Sequence, residues 1–359
     1  MMLAAHVRIR APSRKPMTLL ARREPLLVRP RARFDCVGDG LCCSDIHAVG
    51  ALSDADCEML SLISKDAIAR YEGEDAAVMM MCSDTGRCVF WSEEGCAIHS
   101  NLGSEMKPSP CIQFPYALTA TPMGGRITTQ HRCTCRTLGP LPLISADAAR
   151  PCVSDSEGEL KPEHAVLDEV AWSPTLSLSF AEYAEREAGL IEALLEGKNL
   201  MTVLGAHPFP KLVAMSWSEV AEELLSFRGA SRASVAARSF GDAIAFLVDR
   251  RAPTERERPW ADSFERAGKR IVDPVSPNAV FGDWLADEIW SMRWTRFGSL
   301  ARARAELATR LAIARRIAGW LDISSPLQDN IAAAEAVMIV DVIGTSDTWE
   351  KAQDAMRDI

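Results

Sequence analysis

Cysteine is the residue in this chain that could do chemistry, and its placement is uneven. Ten of the eleven thiols fall between Cys36 and Cys135, and Cys152 alone lies beyond them. The stretch reads F-D-C-V-G-D-G-L-C-C, then G-R-C-V-F-W, G-C-A-I-H, P-S-P-C-I-Q-F-P and H-R-C-T-C-R. Thiolates are soft ligands suited to zinc or to iron–sulfur clusters. Either kind of centre takes four ligands as a rule, delivered by loops that gather distant residues. The candidates are Cys36, Cys42, Cys43, Cys88, Cys96, Cys111, Cys133 and Cys135, with His99 three residues beyond Cys96. Eight thiols could serve two four-ligand sites, or one site plus structural cysteines. Glycines 38, 40, 86 and 95 beside them let the backbone turn tightly and aim N–H groups at sulfur. Adjacent Cys42 and Cys43 are expected to point in different directions. An odd number of cysteines rules out full pairing within one chain. No secretory signal pattern is present, so a reducing cytoplasmic compartment is expected, where disulfides are uncommon. Buried free thiols and redox chemistry are the competing readings. Cys57, Cys82 and Cys152 fit no motif and are expected to pack as small apolar residues.

These motifs resemble those of the YkgJ-type cysteine-cluster family, a zinc- or iron-chelating domain. In order, that family shows F-x-C-x-x-C-G-x-C-C, G-x-C-x-F/Y, C-x-I-H, C-x-x-F-P and a late cysteine pair. The match covers about Phe34–Arg136, under a third of the chain. It departs at one position: Asp39 stands where the family has the second cysteine of its opening motif. A carboxylate can ligate zinc or iron but is harder than a thiolate, so Asp39 is either a replacement ligand or a turn residue in G-D-G. The overall layout, cysteines first and helices after, is also similar to that of the flagellin lysine-N-methylase. That looser resemblance implies a four-iron cluster, S-adenosylmethionine, a protein substrate and lysine N-methylation. Two functions therefore stand: a metal-binding protein holding an iron–sulfur cluster or zinc, and an iron–sulfur, S-adenosylmethionine-dependent methyltransferase.

Other enzyme signatures are missing. The chain has no C-x3-C-x2-C, no strand–G-x-G-x-x-G–helix, no phosphate-binding P-loop, no G-x-S-x-G and no H-E-x-x-H. Paired acids such as Glu93-Glu94 and Glu222-Glu223 read as solvated surface. His131 beside Cys133 is a weaker ligand candidate than His99. Trp284, Trp290 and Trp294 read as one core-facing stripe of a helix.

The elements that must position these groups fall into two kinds. At 359 residues and 48% apolar content, the chain can build about two ordinary cores. The net charge of −9 argues against a general nucleic-acid binder, because phosphate neutralisation dominates such affinity. No apolar run reaches the roughly 20 residues of a membrane helix. The expected fold class is α+β. A basic disordered arm occupies 1–33, with nine arginines and lysines against one acid. A small cysteine-rich domain of short hairpins and one or two helices follows at 34–138. Prolines mark 139–160 as a linker, and 161–359 is an all-α helical domain. Within the cysteine stretch, Ser53 predicts a helix start with an acid three residues on, running to about residue 71. Hairpins are expected around 83–86, 92–95 and 122–125. Further helices are expected at 180–196, 217–228, 233–249, 279–296, 299–321, 327–343 and 346–357.

Overall fold

The computed structural model describes residues 21–36, 38–47, 50–70, 77–82, 84–138, 141–254, 257–270, 275–321 and 326–357. The fold is mixed α+β, with short strands and turns first and helices dominating after residue 180.

A four-stranded sheet sits at the front, in the order Leu26–Val28, Gly124–Thr129, Tyr116–Thr121, His164–Ala165. Its centre is the hairpin expected around Pro122–Gly125, registered with Leu118 opposite Ile127. The first strand overturns part of the disordered-arm expectation. Leu26–Val28 pairs in parallel with Gly125–Ile127, so residues 21–33 belong to the fold; residues 1–20 lie outside the described residues. The two glycines of the turn make this pairing possible. A Cβ on Gly124 would stand 2.3 Å from the Pro25 carbonyl, and one on Gly125 would stand 2.4 Å from that of Arg23. The net positive charge of the arm disguised a strand whose partner lies a hundred residues away.

The expected linker is also structured. Ala146–Ala149 is helical, Arg150–Val153 forms a 3-10 turn, and Ala149, Val153 and Leu160 pack with Leu118 and Ile127 in a small core. Its prolines punctuate a docked segment rather than a free one.

After a Leu176–Ser179 strand, the helices Phe180–Leu195, Trp217–Leu225, Arg232–Asp249, Pro277–Ser291, Leu300–Ala318, Pro326–Ile343 and Asp347–Ala355 share one large core. Ser53 and Ser179 each cap a helix reciprocally with an acid three residues on, as their spacing predicts. The Ser53 helix stops at Ile63, and Ile68–Arg70 leaves it as a strand paired with Ala77–Met79. Trp284 is fully buried, and Trp290 donates its indole N–H to the Ile127 carbonyl at 3.0 Å, so the tryptophan stripe is core as expected. Leu41, Ile46 and Leu138, all from the cysteine-rich stretch, are buried in the helical core itself. The cysteine-rich stretch has only a small apolar cluster of its own, around Leu52, Leu60, Met79, Cys88 and Ile98. A core this small gains much from a cross-link. No helix among the described residues is long and apolar enough to cross a membrane.

Candidate metal centre

Four pieces of backbone carry the thiols inward. The first is the loop Gly38-Asp39-Gly40. Both glycines have positive φ, 66° and 78°, and a Cβ on Gly40 would meet the Trp91 indole nitrogen at 2.1 Å. The loop feeds a 3-10 turn, Leu41–Cys43, whose first N–H donates to Asp39 Oδ1 at 2.8 Å. Gly40→Ala is therefore expected to cost about 1–3 kcal/mol from backbone strain, plus the displacement of Trp91. Equilibrium unfolding in denaturant measures it.

The second piece brings Cys88 and Cys96 together. The Cys88 N–H donates to the Cys43 carbonyl at 2.8 Å, and Trp91 pairs with Cys96 across a tight hairpin. The third is the short helix Ser109–Gln113, which carries Cys111. Asp56 anchors it, accepting from the Ser109 N–H at 2.8 Å and the Ser109 hydroxyl at 2.6 Å while capping its own helix through Ser53. Burial alone would raise the Asp56 carboxyl, yet hydrogen bonds from Ser109 and Ser53 hold it below its ordinary value. The stability this supplies is complete above the unfolded value of about pH 4 and is lost as pH falls through the lower folded value. Asp56→Ala is expected to cost about 1–3 kcal/mol near neutral pH. The gap from wild type should narrow as pH falls below about 4 toward the folded value, below which the carboxyl is protonated in both states; unfolding curves near neutral and at acidic pH check both statements.

The fourth piece is His131–Arg136, with Cys133 capping the short helix Thr134–Thr137. Around it the thiols converge in two lobes. In one, Cys135 hydrogen-bonds with Cys36 and with Cys133, and its S–H donates to Asp39 Oδ2 at 2.9 Å. In the other, Cys88, Cys96 and Cys111 lie close enough for their charges to interact. Cys42 interacts electrostatically with both lobes and hydrogen-bonds with Cys43 beside it. Crowding and burial make several of these anions costly. The hydrogen bond to Cys135 and burial push the Cys36 thiol up, and the hydrogen bond to Cys43 and burial do the same to Cys42. Burial pushes Cys88 up to about 11 and Cys111 up to about 12.

Asp39 is a turn residue and a neighbour of thiols at once. It is 5% exposed, and its two oxygens divide between the turn N–H and Cys135. His99 is exposed on the short helix Ala97–Leu102, outside the buried part of the group. Cys57 sits at the edge of the small apolar cluster, in line with a packing role. None of the eleven cysteines forms a disulfide.

A donor set of clustered thiols, with Cys88, Cys133 and Cys135 buried, Cys36 exposed and the rest half-buried, suits a soft cation. A single tetrahedral zinc holds sulfur at about 2.3 Å, which brings its four sulfurs within about 4 Å of one another. Among the described residues no three cysteine sulfurs all lie within 4.8 Å of each other. The thiols of each lobe are spread more widely than one ion demands.

The one group of three metal-capable side chains that does meet that spacing among the described residues is His131, Asp283 and Asp287. Its carboxylates already hold cations. Arg29 and Arg136 each pair with both Asp283 and Asp287, and His131 Nε2 lies 2.7 Å from Asp287. Burial alone would raise both carboxyls, yet the two guanidiniums hold Asp283 below its ordinary value and Asp287 well below it. Two fixed guanidiniums stand where an ion would, so this is a structural network. No protein-family model, curated protein or solved structure matches the chain. The cysteine motifs and the geometry are therefore what bears on function.

His47, which carries no motif, is also drawn in. It is 3% exposed and packs against the Phe114 ring at 4.9 Å, next to the Cys111 segment. Burial holds its imidazole well below the ordinary value, and neither ring nitrogen makes a hydrogen bond of good geometry. A lone buried histidine between two cysteine segments gives no sequence signal beyond its spacing from Cys43.

Proposed function

We propose that this chain is a metal-binding protein whose cysteine-rich stretch holds an iron–sulfur cluster, with zinc as the other candidate. One observation carries the reading: thiols from four separate segments, spread over a hundred residues, come close enough to influence one another's ionisation, with Cys42 in reach of both lobes. Packing alone gives no reason to bring the thiols of four segments within reach of one another. Among the described residues, no three of the sulfurs are already as close as a single ion would hold them.

In this reading Cys36, Cys133 and Cys135 hold one lobe, with Asp39 as an oxygen donor or as the acceptor that orders Cys135. Cys88, Cys96 and Cys111 hold the other. Cys42 and Cys43 lie between the lobes and can be divided between them. When bound, the metal supplies a cross-link for a stretch with little apolar core and, as an iron–sulfur cluster, one-electron exchange. The loop glycines and the 3-10 turn present Cys42 and Cys43, and Asp56 fixes the helix that presents Cys111.

Purification without oxygen, followed by elemental analysis and a visible absorption spectrum, tests the reading. Brown protein containing iron and acid-labile sulfide supports the cluster. Colourless protein with stoichiometric zinc assigns the same thiols to zinc. Protein free of both metals, under conditions where the chain is folded, overturns the proposal.

A further inference from the structure

The late cysteine pair is set among residues that reach into the helical half. In His131-Arg132-Cys133-Thr134-Cys135-Arg136, the two sulfurs serve the thiol group while their neighbours contact helices. His131 meets Asp287 at 2.7 Å, the Arg132 N–H donates to Asp341 Oδ2 at 2.9 Å, and Arg136 pairs with both Asp283 and Asp287. Asp283 and Asp287 are one turn apart on Pro277–Ser291, and Asp341 is on Pro326–Ile343. Arg29, directly after the first strand, closes the network against the same two carboxylates, and its side chain is fully buried. Arg136 is also tied back to the sheet, donating to the Thr129 hydroxyl at 2.7 Å. Every charged group here is buried or nearly so, apart from Asp283 at 24% side-chain exposure. Buried charged networks of this kind have sharply defined geometry, because leaving one partner unpaired is costly.

We infer that Asp283, Asp287 and Asp341 are positioning residues for the thiol centre, so that metal retention at Cys133 and Cys135 depends on the helical half. This rests on the metal-binding reading above. The hexapeptide is too short to place its two sulfurs independently of its other four side chains. Loosening one anchor turns or shifts the segment, and both sulfurs move with it. Outer-shell partners of ligands commonly change metal affinity by about 10–100-fold. The coupling is reciprocal: losing the metal frees the segment and weakens the hold on the helix that carries Asp283 and Asp287.

The test uses the full chain, purified without oxygen, and follows metal release to a chelator by absorbance or by a metal-sensitive dye. Asp283→Asn, at the most exposed of the three carboxylates, is expected to release metal about tenfold faster than wild type or more. Val220→Ala empties core volume in the same helical half, far from the seam in sequence and element, and is expected to stay within about twofold of wild type. Equal release from Asp283→Asn and wild type overturns the inference, as does equal acceleration by both variants, which would mean that any loss of stability loosens the metal. If Asp283→Asn does not fold, amide hydrogen exchange on wild type decides. Chelation is expected to speed exchange about tenfold in Pro277–Ser291 and leave Trp217–Leu225 unchanged; no difference between the two helices overturns the inference. Wild-type protein that carries no metal sinks the metal reading itself, an outcome distinct from metal-loaded protein whose release ignores Asp283.

Discussion

A chain with serine in place of Cys135 is expected to lose the metal of its lobe and to unfold at lower temperature. Cys135 is 3% exposed, hydrogen-bonded with Cys36 and Cys133 and donating to Asp39. A serine hydroxyl is a hard, weakly acidic donor that holds soft cations poorly. Because metal binding here is also folding energy, one lost ligand is felt twice, in occupancy and in stability. The loss should exceed the roughly 10–100-fold effect of an outer-shell change. Elemental analysis of protein purified in parallel measures the occupancy, and thermal unfolding measures the stability. Cys57→Ser is the control: its thiol packs at the edge of the small apolar cluster, and metal content should not change. Full metal content in Cys135→Ser would remove this lobe from the account.

The second large effect is expected at Asp287. Asp287→Asn removes one of two carboxylates that face two buried guanidiniums and a histidine. Breaking such a network by one partner leaves buried charge uncompensated, at a cost of about 3–5 kcal/mol. The pH dependence has a definite sign. The Asp287 carboxyl is held well below its ordinary value by Arg29 and Arg136 against burial. Its contribution is complete above the unfolded value of about pH 4 and is lost as pH falls through the folded value. Wild type should therefore lose its advantage over Asp287→Asn on acidification and keep it near neutral pH. Denaturant unfolding from about pH 7 down to about pH 3 tests this; a constant difference across that range would contradict it.

The network shows where sequence reasoning stopped. Asp283 and Asp287 stand four apart on a helix that was otherwise legible, and that spacing alone puts two acids on one face. What they face was not legible, because Arg29 belongs to a basic arm whose charge suggested solvent. Its burial follows from pairing with a strand about a hundred residues later, a long-range contact that no local pattern carries. Local signals did better. The capping residues Ser53 and Ser179 and the Pro122–Gly125 hairpin each depend on neighbours within a few residues, and each formed. Helix ends were less legible: the Ser53 helix stops at Ile63 because the following residues are claimed by a strand partner. Prolines misled in 139–160, since they mark turns without saying whether the segment between them is docked.

At the thiol group, types and order were legible and distances were not. The sequence singled out eight cysteines, but it could not divide them into lobes or show Cys42 in reach of both. It put His99 forward on proximity to Cys96, and the structure leaves that ring exposed. It offered Asp39 as ligand or turn residue, and the fold uses one oxygen for the turn and turns the other to a thiol. His47 was invisible because its importance comes from burial beside Phe114 and not from spacing.

X-ray absorption at the edge of the bound metal, on protein purified without oxygen, addresses the central claim most directly. The account predicts a first shell dominated by sulfur at about 2.3 Å, a distance typical of metal–thiolate bonds, with a second metal scatterer nearby if the centre is an iron–sulfur cluster. A first shell of oxygen and nitrogen alone would place the metal away from these thiols and contradict it.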